Sequence, residues 1–186
     1  MGVRPARRLA AAAALLAMAL PAMVLAGCSD DPTETSKEPA VGTGGNVGNV
    51  TVRDLFVLAG PSGQSVPAGG SAPVYLTLIN DPETVETAGP GGSPDPQRGS
   101  DALVGVSSPA AGSGEVLGGA VQAPAGRNVT VGPRATVVLK DLKQQLVPGE
   151  NVQVSLRFRQ AGSGTFNVPI QGREGDLASY SPAPAE

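Results

Sequence analysis

The residues that could do chemistry are few. The only cysteine, Cys28, follows Leu25-Ala26-Gly27, and all three methionines (Met1, Met18 and Met23) lie within the first 27 positions. The chain has no His and no Trp. Beyond position 28 there is therefore no imidazole, no thioether and no thiol. This excludes His-based acid/base catalysis, Ser-His-Asp and Cys-His arrangements, zinc fingers and soft-metal sites built from this chain alone. No Gly precedes a Lys, so there is no P-loop, and no Gly-x-Gly-x-x-Gly occurs. Ser113 and Ser163 sit in Gly-Ser-Gly but lack the outer glycines of Gly-x-Ser-x-Gly, and no Ser stands three residues before Lys37, Lys140 or Lys143. Carboxylates, hydroxyls and two tyrosines remain. A paired-carboxylate glycosidase stays open, because its acids meet only in the fold, yet three Phe and two Tyr leave little to stack on sugar rings. The expectation is a protein that is not an enzyme and holds no cofactor.

Cys28 has a different use. Arg4, Arg7 and Arg8 precede an apolar run over 9–25 that contains Pro21, and the run leads through small residues into Cys28. This pattern resembles the lipobox of bacterial lipoproteins. That resemblance implies a signal peptide over 1–27, a diacylglyceryl group on the Cys28 thiol, cleavage before Cys28 and acylation of the new amine. A transmembrane anchor is the alternative, but 17 residues interrupted by proline fall short of the roughly 20 that a span needs. The implied location is the extracytoplasmic face of the cell membrane, with the membrane itself a partner through Cys28. Without 1–27 the chain carries ten basic against sixteen acidic residues, a net charge of −6. Nucleic acid is not an expected partner for such a chain. About 54 apolar residues among 159 supply a lean core for one domain, and a single cysteine leaves no intrachain disulfide.

The positioning elements are read from punctuation. Positions 28–186 hold 24 Gly and 16 Pro, which leaves no room for long helices. Val152, Val154, Leu156 and Phe158 alternate with polar residues, as do Phe166, Val168 and Ile170; each pattern predicts a half-buried strand. Ala161-Gly162-Ser163-Gly164 between them predicts a hairpin connection. Further strands are predicted at 50–58, 74–79, 103–107, 116–121, 129–131 and 136–139, with one helical turn at 141–146. Residues 28–49 read as a flexible tether and 171–186 as a disordered tail. A Pro/Gly-rich loop at 81–100 reads as a disordered insertion or, alternatively, a binding loop. The resulting expectation is an all-β chain whose domain at 50–170 is an antiparallel β-sandwich.

Several segments in order carry a resemblance. They are Val74-Tyr75-Leu76-Thr77-Leu78-Ile79-Asn80, Leu103-Val104-Gly105-Val106-Ser107-Ser108-Pro109-Ala110-Ala111, Pro124-Ala125-Gly126, Asp141-Leu142-Lys143-Gln144-Gln145-Leu146-Val147-Pro148-Gly149-Glu150, Val154-Ser155-Leu156-Arg157-Phe158 and Ala161-Gly162. Together they resemble periplasmic copper chaperones of the PCu(A)C type, which implies a cupredoxin-like or Ig-like sandwich over 50–170. The lipobox and Gly/Ala-rich composition also look like an actinobacterial envelope lipoprotein. The family holds copper with a His, a Met and a His-x-Met pair. The first His position falls near Gly118, the Met-bearing stretch shrinks to 119–123, and the His-x-Met pair meets Thr136-Val137-Val138. No metal ligand is retained at these positions. Three functions stay open: a tethered module that binds an unknown envelope protein, a copper-handling protein whose partner supplies the ligands, and a carboxylate enzyme. The first is the expectation.

Anchoring by Cys28 has a direct test. Two or three acyl chains, at about 0.8 kcal/mol per buried CH₂, hold a protein on a membrane nearly permanently. Cys28→Ser is expected to abolish uptake of labelled fatty acid and to leave an unprocessed precursor. A mature, fatty-acid-labelled Cys28→Ser protein would refute the anchor.

Overall fold

β2 (Val50–Pro61) is twelve residues long and is paired on both edges. The computed structural model describes residues 42–81 and 99–184. The expected signal, Cys28, residues 28–41 of the expected tether and 82–98 of the expected loop lie outside them. One edge of β2 pairs antiparallel with β3 (Ala72–Asn80). The other edge is shared: β1 (Thr43–Val47) takes its first half, and the end of β10 (Ser163–Arg173) runs parallel to its second half. β3 divides its free edge in the same manner. Its end from Leu76 to Asn80 pairs with β7 (Arg127–Val131), while Ala72 and Pro73 meet β8 (Val137–Leu142).

The opposing layer is antiparallel, in the order β10, β9 (Asn151–Phe158), β4 (Asp101–Ser107) and β6 (Val121–Ala123). β5 (Ala111–Val116) pairs with β8. β10 closes the sandwich because its first part pairs with β9 and its last residues pair with β2. A strand that passes between layers is one way a sandwich makes a corner.

Strand periodicity builds the core. In β9, Val152, Val154, Leu156 and Phe158 are buried while Asn151, Gln153 and Arg157 are exposed, as the alternation predicts. They meet Val168 and Ile170 of β10, Val74, Leu76 and Leu78 of β3, and Leu139 of β8 in one cluster. β2 contributes Val50 and Val52, then Leu55, Val57 and Ala59. The step from 52 to 55 breaks the period of two. It coincides with a register shift between Arg53 and Phe56 and with Asp54 in the left-handed region at φ 51°. That is a β-bulge. Beyond it Phe56 and Leu58 face outward and join Tyr75 in a second, smaller cluster.

Four local expectations need correction. Residues 43–47, placed in the tether, form β1, which uses the free edge of β2 rather than a hydrophobic pattern of its own. The strand expected at 116–121 is two strands. Gly118 and Gly119 adopt φ of +83° and +93°, and the Gly119 N–H closes a turn onto Val116 O at 3.0 Å. The helical turn expected at 141–146 is the end of β8 followed by a bend, and Leu146 exchanges both backbone hydrogen bonds with Val66. The tail expected to be disordered from 171 is ordered through 184. β10 runs to Arg173, a 3-10 turn spans Gly175–Ser179, and Tyr180 packs on the second cluster.

Buried polar groups lock the sandwich ends. Asp101, 3% exposed, accepts from the N–H groups of Ala102 (2.7 Å), Gln160 (3.0 Å) and Ala161 (2.7 Å). Its carboxylate thereby holds the β9–β10 turn against β4. Asn80 donates through Nδ2 to Gly99 O and Ala123 O, both at 2.7 Å, and its Oδ1 accepts from Asn49 at 2.8 Å. Asp101→Ala strands the amides of Gln160 and Ala161. A loss of about 2–3 kcal/mol is expected in urea unfolding; a change within experimental error would show that the turn does not depend on Asp101.

Candidate functional site

The ends of β5 and β8 bring two of the three candidate positions together. The N–H of Leu117, in the turn after β5, donates to Thr136 O just before β8 at 2.7 Å, so Gly118 lies beside Thr136. A side chain built at Gly118 would enter open space. Thr136 is half-buried and lines an open groove of about 450 Å³ with Leu117, Ala120, Val121, Thr130, Val131, Gly132, Pro133 and Arg134. Val138 is fully buried, opposite Glu115 of β5 and Pro73 of β3 in the ladder, and does not line the groove. Cys28 lies outside the described residues.

The donor chemistry of this groove does not fit copper(I). A soft ion favours thioether, thiolate or imidazole, whereas these residues offer the hydroxyls of Thr130 and Thr136 and backbone atoms. Among the described residues the one charged side chain lining the groove is Arg134, a guanidinium that repels a metal ion. Among the described residues no group of three or more His, Cys, Asp or Glu could hold a metal ion. Arg134 was not singled out from sequence. What marks it is only its place in Gly132-Pro133-Arg134, a turn between two strands.

The same turn has a second face. The Gly132 backbone, at φ +150°, lies against two tyrosines: a Cβ there would sit 3.0 Å from Tyr180 Cε1 and 3.2 Å from Tyr75 Cδ1. Tyr180 stands edge-on to Tyr75, with ring centroids 4.7 Å apart at 86°, and edge-on to Phe56 at 5.6 Å and 63°. Such edge-to-face pairs add to burial through the ring quadrupoles. The Tyr75 hydroxyl donates to Ser181 O, with Pro133 O at 3.3 Å, and the Ser181 N–H donates to Pro133 O at 2.8 Å. Burial pushes the Tyr75 hydroxyl up to about 12; Tyr180 adds to the rise and Arg173 opposes it. The sequence held one signal for this cluster, an isolated Leu177 and Tyr180 three residues apart in an otherwise small and polar terminus.

Comparison with known proteins agrees with this architecture. The family described as "Putative lipoprotein LpqE-like" matches residues 50–170. The solved structure described as "Apo PCuAC domain from PmoF1" is 22% identical, with a TM-score of 0.54, covering 70% of this chain and 99% of that domain. The "Copper-bound PCuAC domain from PmoF2" is 20% identical, with a TM-score of 0.52, covering 70% of this chain and 98% of its own. At these identities the likeness is one of fold, and the all-β sandwich expected from sequence is the PCuAC fold. No curated protein matches.

The raised Tyr75 value carries a pH prediction. The folded state holds the phenolic proton more tightly than the unfolded chain, whose tyrosines titrate near 10. Tyr75 therefore contributes its full stabilisation below about pH 10 and loses it as pH rises through about 12. Unfolding free energy measured between those values is expected to fall more steeply for the native chain than for Tyr75→Phe. Equal slopes would refute the burial of this hydroxyl.

Proposed function

The chain belongs to the LpqE-like lipoprotein family, and on that premise we propose that it is a lipid-anchored, extracytoplasmic binding module that uses a PCuAC scaffold without holding copper itself. One observation carries the reading. The positions matched to the copper ligands are Gly118, Thr136 and the buried Val138, and among the described residues the one charged side chain lining the groove at Thr136 is Arg134. Burying a monovalent copper ion there removes its hydration and returns no sulfur or imidazole bond. A scaffold stripped of its site chemistry retains surfaces, and function resides in sites rather than folds. Anchoring rests on the lipobox at Cys28 and on the family description. The lack of His, of a second cysteine and of cofactor-binding motifs in the sequence supports a non-enzymatic role, with an envelope protein as the proposed partner.

A second reading has one observation in its favour, the likeness to a domain described as copper-bound. In it the chain handles copper with a partner that completes the ligand set.

Copper(I) competition tests the proposal. The delipidated mature chain is expected to retain no copper(I) against a competing thioether or imidazole chelator. Stoichiometric retention would overturn the proposal, and retention only when a partner protein is added would establish the second reading in its place.

A further inference from the structure

The family match ends at Ile170, and the chain continues in ordered form for fourteen residues. Residues 174–181 form a strap over the outer face of β2 and β3, which presents Phe56, Leu58 and Tyr75. The strap is held at three points: the side chain of Leu177, the ring of Tyr180, and the backbone of Ser181 through Pro133 O and the Tyr75 hydroxyl. Its 3-10 turn has no buried residue and no side-chain N-cap. Nor does it fill the surface. A groove of about 290 Å³ remains beside it, lined by Phe56, Tyr75, Thr77, Thr130, Leu177 and Tyr180 among others. A segment held at these few points, with no buried residue in its 3-10 turn, belongs to the low-stability end of a structure, and the face it covers is apolar, Phe56, Leu58 and Tyr75 being at most 3% exposed beneath it.

We propose that this face of β2 and β3 is a docking site for a segment of a partner protein, and that the strap is the intramolecular occupant the partner displaces. The strap states the chemistry required of that segment. It carries an aliphatic residue three positions before an aromatic one, as Leu177 stands to Tyr180, followed by a backbone carbonyl that accepts from Tyr75. The unfilled groove admits a bulkier aliphatic or aromatic anchor than the strap provides, which is what lets a partner outcompete it. This deepens the reading of the chain as a binding module and rests on it.

The probe is a labelled peptide of residues 174–184, titrated into the full mature chain and into its Leu177→Ala/Tyr180→Ala variant. Saturable binding to the variant is expected, and about tenfold weaker binding to the native chain, where the strap occupies the site. No binding to the folded variant, or equal binding to both chains, would overturn the proposal. Should the variant not fold, hydrogen exchange on the native chain decides. The amides of Tyr180 and Ser181 are expected to exchange at least about tenfold faster than those of β3, and Tyr75→Phe to widen the gap. Exchange of the strap at the rate of β3 would make it part of the cooperative fold and refute a displaceable occupant. These results are independent of Cys28 labelling and copper(I) competition, so failure here leaves the copper-free, lipid-anchored reading standing.

Discussion

One extra residue in β2 sets both faces of the molecule. Val50 and Val52 face the core, and uninterrupted alternation would next turn Asp54, Phe56 and Leu58 inward. A carboxylate would then lie among aliphatic side chains, at a desolvation cost no neighbour offsets. The bulge at 53–56, with Asp54 in the left-handed region, shifts the phase by one. Leu55, Val57 and Ala59 then complete the core, Asp54 stays in solvent, and Phe56 and Leu58 move to the outer face. A shift of one residue exchanges the two faces of a strand. The principal core and the aromatic patch under the strap are thus two products of the same irregularity.

The turn at 132–134 links the two surfaces of functional interest. On one side Gly132, Pro133 and Arg134 wall the groove that stands near the ligand-matching positions. On the other, Gly132 lies against Tyr75 and Tyr180, and Pro133 O receives the Ser181 amide. A side chain at 132 would meet both rings, so the backbone itself forms the contact. One solved domain of similar fold is described as copper-bound; the groove of this chain offers hydroxyls, backbone atoms and a guanidinium.

A lean core without disulfides depends on buried polar clamps. Asp101, Asn80 and Ser108 are the buried polar residues among those described, and each satisfies backbone partners. Ser108 donates to Gln153 O at 2.6 Å and accepts from the Ala110 N–H at 3.2 Å, joining the β4–β5 connection to β9. Asp101 does the same for the β9–β10 turn, and Asn80 for the segments around Gly99 and Ala123. Because an unsatisfied buried group is costly, these residues discriminate against misaligned pairings that a small set of Val and Leu contacts would tolerate.

The sequence by itself determined the chemistry this chain lacks and the strands with one buried face. A missing imidazole or thioether is a property of composition. Val152 to Phe158 and Phe166 to Ile170 alternate because each strand packs one side on the core, so their pattern is local and readable. Gly118-Gly119 was equally visible, and its positive-φ turn is the reason the expected strand at 116–121 divides. Tertiary structure decided the rest. β1 has one buried apolar residue, Val47, and exists because β2 offers an edge. The bulge at Asp54 is favoured only once β3 and β1 fix which face is inside. Leu177 and Tyr180 order a terminus that composition reads as loose, because Tyr75, 106 positions before Ser181, supplies their platform and a hydroxyl. Edges, register and platforms arise between segments far apart in the chain, and no local pattern encodes them.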